Sequence, residues 1–219
     1  MSNSPLVNYT QISPHRNSPR NKPIDTITIH CLVGQASVEA IGGWFAQATT
    51  KASSNYGIGY DGKIGMYCEE KDRSWCTSSG SNDRRAITIE VASDKQHPFA
   101  VTDAAYNALL DLVTDICKRN GIKKLVWSEN KDDRVNHKNG CNMTVHMDYA
   151  NKSCPGQYLY DRHPAIAAEV NKRLSAAAEG QAQVMHRVQI GAFAIRANAE
   201  QMLAKAKAAG FTDAYITTK

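Results

Sequence analysis

The 219-residue chain can hold one substantial domain, or one domain with a small module attached. Hydrophobic residues make up 42% and charged residues 21%, a globular balance that excludes a disordered chain. The net charge of +5 suits an anionic partner, but no Lys/Arg run or base-reading signature accompanies it, so nucleic acid is not expected.

The opening MSNSPLVNYTQISPHRNSPR has no apolar core and does not read as a secretory signal. Nothing approaches the roughly 18 apolar residues of a membrane span. The expectations are synthesis in the cytoplasm without a signal peptide, and no membrane partner. Residues 1–23, rich in Ser, Asn, Pro and basic side chains, predict an extended arm. Ile24–His30 (IDTITIH) alternates apolar and polar with β-branched residues and predicts a strand. Ser37 caps a short helix reaching about Gln47. Asn55–Tyr60 and Lys63–Cys68, joined by Asp61-Gly62, predict a hairpin. Ala86–Val91 (AITIEV) predicts another strand.

The helix from Thr102 to Asn120 has the clearest pattern. Thr102 is its N-cap, Gly121 its stop, and Ala105, Leu109, Leu112, Val113 and Ile116 its apolar face. Lys124–Trp127 reads as a short strand, and Pro164–Leu174 as a closing helix. Ser175–Gln183 (SAAAEGQAQ) is small and polar, which places a linker at 175–184. Arg187–Phe193, a helix capped by Asn198 and ended by Gly210, and Ala214–Thr217 then form a βαβ pattern. The fold class expected is α/β: a central mixed β-sheet flanked by helices over 1–174, plus a small C-terminal βαβ unit over 185–219.

Six cysteines in a long chain without a signal do not predict a disulfide framework, although Cys68 and Cys76 could face each other across the hairpin. Cys117 falls on the apolar face of a helix and reads as core. His30 ends the first strand, and His146 and Cys154 lie far downstream, with seven residues between them. Two imidazoles and a thiolate are a ligand set that zinc accepts, with a fourth position open for water. The spacing alone is a weak signal and favours structural histidines and a small core cysteine. On alternation alone Glu90 shares a polar strand face with Ala86 and Thr88. Lys152 reads as a solvated lysine, and Tyr56 as a half-buried strand aromatic. Trp75 fits a ligand groove or the core. His15, His97, His137, His163 and His186 have no partner spacing and read as surface or loop residues.

The ordered set TITIH, SSNYGIGYDGKIGMYCEE, AITIEV and TVH…NKSCPG resembles the zinc amidase family shared by phage endolysins, bacterial autolysins and peptidoglycan recognition proteins. The likeness spans roughly residues 22–174. SWCTSSGSNDRRAITIEVASD is similar to amidases of Gram-positive, clostridia-like bacteria and their phages. The resemblance implies one zinc ion held by His30, His146 and Cys154, with Glu90 as general base. It implies that Lys152, two residues before the last ligand, stabilises the oxyanion, with Tyr56, the tyrosine of the S-x-x-Y segment, as a second candidate for that role. The reaction implied is hydrolysis of the amide between N-acetylmuramic acid and L-alanine in peptidoglycan, by an endolysin or autolysin that meets the wall after release by a holin or by lysis.

RVQIGAF with NAEQMLAKAKAAGFTDAYI resembles half of a sporulation-related repeat (SPOR) domain, whose members bind glycan strands. It implies peptidoglycan binding, and at half length the unit either docks on the catalytic domain, pairs with a second chain in a homodimer or binds poorly, against the alternative of a vestigial or truncated tail. Two other functions stay open on sequence. One is a non-catalytic peptidoglycan-binding protein on the same fold. The other is a cysteine peptidase using Cys154 and His146.

Overall fold

In the computed structural model, which describes residues 2–181 and 188–218, the amino-terminal unit spans Met1–Glu179 and a second unit spans Gly180–Lys219. The first unit runs through β1 (Tyr9–Thr10), β2 (Arg16–Asn17), β3 (Thr26–Val33), α1 (Val38–Ala46), β4 (Tyr56–Ile58), β5 (Ile64–Met66) and β6 (Arg73–Ser74). It continues with α2 (Gly80–Asp83), β7 (Ala86–Ser93), α3 (Asp103–Asn120), α4 (Lys131–Asn136), β8 (Met143–Thr144), α5 (Gly156–Tyr160) and α6 (His163–Gln181).

Six strands form one mixed sheet in the order β1-β5-β4-β7-β3-β8. The long central strands β3 and β7 are parallel and pair over eight positions, Ile27 with Ile87, Thr28 with Thr88, Ile29 with Ile89 and His30 with Glu90. β4 runs parallel to β7 and antiparallel to β5, closing the expected hairpin. Its Asp-Gly turn needs the glycine, since Gly62 sits at φ +82.

Strand alternation divides the sheet into two chemically different buried faces. Ile27, Ile29, Ile87, Ile89, Tyr56 and Ile58 join Leu109, Leu112, Val113 and Ile116 of α3, and Ile166 and Val170 of α6, in the main core. Burying each such side chain contributes about 1.5–3 kcal/mol. The other face is polar, and its hydroxyls pair with one another. Thr28 Oγ1 lies 2.7 Å from Thr144 Oγ1, Ser74 Oγ lies 2.7 Å from Thr88 Oγ1, and Asn82 Nδ2 donates to Thr28 Oγ1 at 3.0 Å. Such pairing offsets the cost of burying these groups.

Several expectations are corrected. The 1–23 arm is not free-standing: β1 pairs parallel with β5, and β2 pairs antiparallel with β6. Buried Arg20 donates to the carbonyls of Glu70, Asp72, Arg84 and Ala86. Lys124–Trp127 is not a strand, because side-chain amides take most of its backbone groups and only the Val126 carbonyl accepts from a neighbouring backbone, at Asn142 and Met143 N–H. Leu125 N–H donates to Asn171 Oδ1 and Val126 N–H to Asn142 Oδ1, both at 2.8 Å. α6 continues past Leu174 to Gln181, so the first part of the expected linker is helical. Its Ala-rich run explains this, alanine being the best helix former. Linker residues 182–184, His186 and Arg187 lie outside the described residues.

The second unit contains α7 (Arg196–Ala208), capped at Ile195 rather than Asn198. Neither 188–193 nor 214–217 forms a strand there, and Val188, Ile195 and Phe211 are exposed. The βαβ reading is thereby reduced to its helix. An alternating segment becomes a strand only when another backbone offers it a ladder. Among the described residues, no helix is long and apolar enough to cross a membrane.

Candidate metal centre

His30 and Glu90 occupy one rung of the β3–β7 ladder, on the polar face. Parallel register thus places an imidazole beside a carboxylate 60 positions away in sequence. His30 is fully buried, and its Nδ1 lies 3.9 Å from Glu90 Oε1. The chain returns to this point through the turn at His146–Asp148, directly after β8 pairs with β3. The His30 and His146 rings stand 5.1 Å apart at 62°. Cys154 follows, with its Sγ 3.3 Å from His30 Nδ1. Met147 N–H donates to the Cys154 carbonyl at 3.1 Å, tying the two segments together. Arg134 donates to both oxygens of buried Asp148 at 2.7 Å and so anchors the turn that carries His146.

One ligand atom each from His30, His146 and Cys154 lie within 4.8 Å of one another. Two nitrogens and a sulfur at this spacing fit a zinc ion with one open position. Burial, and then His146, holds the His30 pKa well below the usual range, and burial, then Lys152, lowers that of His146. Both shifts favour the neutral imidazole that a metal ligand must be. Burial pushes the Cys154 thiol up. At hydrogen-bond distance from Cys154 Sγ stands His30 Nδ1, at 3.3 Å, and not the His146 of a Cys154–His146 pair. A nucleophile–base pair of Cys154 and His146 therefore lacks the hydrogen bond it would use.

Burial raises Glu90 to about 7, which suits a proton acceptor near neutral pH. Its Oε2 is buried with no hydrogen-bond partner. Glu90, His146 and exposed Lys152 line a groove of about 410 Å³ with Trp44, Trp75 and Arg73. Trp75 is thus a groove residue, its indole N–H donating to Asn17 Oδ1 at 2.8 Å.

Tyr56 does not reach this site. It lies in register with Ile89, on the opposite face from Glu90, and is fully buried. Its hydroxyl donates to Glu70 Oε1 at 2.7 Å and accepts from Ser4 N–H at 2.9 Å. Hairpin parity was the signal: Tyr56 and Ile58 alternate with Asn55 and Gly57. Two surface assignments also change. His15 is buried with a ring nitrogen 2.8 Å from the Gln47 carbonyl, and His163 is buried against Trp127. Cys68 and Cys76 are both free thiols, so the hairpin disulfide does not form. Sequence reasoning missed two residues of the loop before α2. Cys76 lies beside Glu90, and Ser78, at a left-handed φ of +60, places Oγ 3.4 Å from His146 Nε2.

A mixed sheet with helices on it is the fold of the amidase and peptidoglycan-recognition class, and here a His–His–Cys cluster sits over its polar face beside a largely buried glutamate. The family model described as N-acetylmuramoyl-L-alanine amidase matches residues 20–157, and the SPOR domain model matches residues 172–219. The chain belongs to the N-acetylmuramoyl-L-alanine amidase family. Among solved structures it is similar to a mutant endolysin from Bacillus subtilis, at 19% identity and TM-score 0.55, over 75% of this chain and 99% of that one. An AmpD derivative matches at 20% identity and TM-score 0.54, over 75% and 96%. Drosophila peptidoglycan recognition protein SA matches at 18% identity and TM-score 0.51, over 66% and 79%. No curated protein matches the sequence.

Proposed function

We propose that this protein is a zinc-dependent hydrolase that cleaves the amide between N-acetylmuramic acid and L-alanine in peptidoglycan. The observation that carries the reading is the convergence of His30, His146 and Cys154 beside Glu90. Zinc held by those three residues would supply a Lewis acid that polarises the scissile carbonyl and acidifies water. Glu90 takes the proton of the attacking water and passes it to the leaving amine of L-alanine. Lys152, at the groove, offsets negative charge developing on the carbonyl oxygen. Losing one such donor costs about 10²–10³-fold in rate. Trp44 and Trp75 provide apolar walls for sugar or stem peptide. Retention of all three ligand residues favours this reading over a non-catalytic binder.

The SPOR-like unit is proposed to hold the enzyme on glycan strands. Its lysines and arginines, Arg187, Arg196, Lys205, Lys207 and Lys219, face only Glu200 and Asp213 in the sequence balance, which favours approach to an anionic wall.

The test is to digest purified sacculi and identify the new ends. Free L-alanine amines without new reducing sugars are expected, and chelation should abolish their release until zinc is restored. New reducing ends, or full activity in chelator, would refute the proposal.

A further inference from the structure

Glu90 is poorly supported for a carboxylate only 13% exposed. Among the described residues one side chain donates to it: Cys76, whose Sγ lies 3.7 Å from Oε1. Oε2 has no partner. The nearby His30 Nδ1 faces Cys154 Sγ at 3.3 Å and belongs to the ligand cluster. The loop carrying Cys76 is held from several directions. Cys76 N–H donates to Asp83 Oδ2 at 3.0 Å, and Thr77 Oγ1 donates to Asp83 Oδ1 at 2.5 Å. Trp75 N–H donates to Ser53 Oγ at 3.0 Å. Asp83 itself is fully buried. The loop backbone therefore delivers the thiol to the carboxylate with little freedom to drift.

We propose that Cys76 is the positioning residue of the catalytic carboxylate. Its S–H holds Oε1 and leaves Oε2 as the uncommitted basic oxygen. The inference rests on Glu90 being the general base. A thiol is a weak donor, so it sets the rotation of the carboxylate without satisfying it. A group that must sit within about 0.5 Å of productive geometry gains from such support.

The test uses the full-length zinc-loaded protein and a soluble muramyl-peptide substrate. Cys76→Ala should lower kcat about tenfold, at the lower end of outer-shell effects, with KM and zinc affinity by chelator competition unchanged. Cys76→Ser, which keeps a donor, should recover most of the loss. On a Glu90→Gln background, adding Cys76→Ala should cost nothing more. Wild-type kcat in Cys76→Ala would overturn the proposal. So would an equal cost on both backgrounds, or a more than tenfold loss of zinc affinity, which would make Cys76 a metal ligand. If Glu90→Gln itself keeps wild-type rate, the general-base reading fails separately, whatever Cys76→Ala does. Should the alanine variant not fold, Cys76→Val, nearer the thiol in volume, replaces it.

Discussion

Glu90 occupies a costly position. It lies in the middle of the sheet, its side chain only 13% exposed, with one oxygen unpaired. A carboxylate left so poorly solvated has to be offset elsewhere in the fold. We expect Glu90→Ala to lower wall lysis by about 10²–10⁴-fold, the range of general acid–base contributions. Zinc bound should stay near one per chain, measured by atomic absorption. Retained lysis would remove Glu90 from the mechanism. Tyr56 gives the contrasting case. Its hydroxyl serves buried Glu70, which also receives Arg119 at 2.5 Å and Asn120 at 2.8 Å. Tyr56→Phe should cost about 1–3 kcal/mol in stability, as a buried acceptor loses a donor, and leave kcat unchanged. A large drop in kcat with an unchanged Tm would return Tyr56 to the catalytic site. The motif that drew attention to Tyr56 was local, whereas its direction depends on the register of β4 with β7.

At the scale of elements, the start of α6 holds a pH-sensitive contact. His163 stacks on Trp127 at 4.3 Å, and its Nδ1 lies 2.8 Å from the Leu159 carbonyl. Burial, and the neighbouring Arg134 guanidinium, lower its pKa to about 4. An unfolded histidine titrates near 6.5, so between these values the unfolded chain binds the extra proton. Stability from His163 is full above pH 6.5 and falls as pH drops toward 4, by about 3 kcal/mol in total. Denaturant titrations of the wild type and His163→Phe across that window should show a steeper acid loss in the wild type; equal slopes would refute it. The adjoining Arg134–Asp148 pair anchors the His146 turn, with both side chains no more than 3% exposed. Arg134→Met should destabilise by about 3–5 kcal/mol, because it leaves a buried carboxylate unpaired. A shift in Tm of only a degree or two would contradict that.

Across the whole molecule, the two units pose different questions. Deleting residues 180–219 should weaken pelleting with purified sacculi several-fold while leaving hydrolysis of soluble muramyl peptides intact. Unchanged pelleting would support the vestigial reading of the C-terminal unit. Sedimentation of the full chain and the deletion tests the alternative that the unit pairs two chains: a dimer that vanishes with the unit would support it, and a monomer in both would refute it.

Sequence alone determined what depends on neighbours along the chain. The N-cap at Thr102, the stop at Gly121 with its φ of +71, the Asp-Gly hairpin and the alternation of the two long strands are all local choices of backbone and side chain. The candidate site was read from the ordered set His30, Tyr56, Glu90, His146, Lys152 and Cys154, and only as a set, with Tyr56 included in error. Tertiary structure alone decided which of those residues meet. Parallel register set His30 beside Glu90, and the polar face of the sheet carried the site while the apolar face took Tyr56 into the core. Cys76 and Ser78 joined the centre through a loop held by buried Asp83, a contact with no period or spacing to announce it. In the C-terminal unit the alternating pattern was present, but strands did not follow from it. Side-chain pattern states which face a segment would bury, whereas a strand exists only where another backbone supplies the hydrogen bonds.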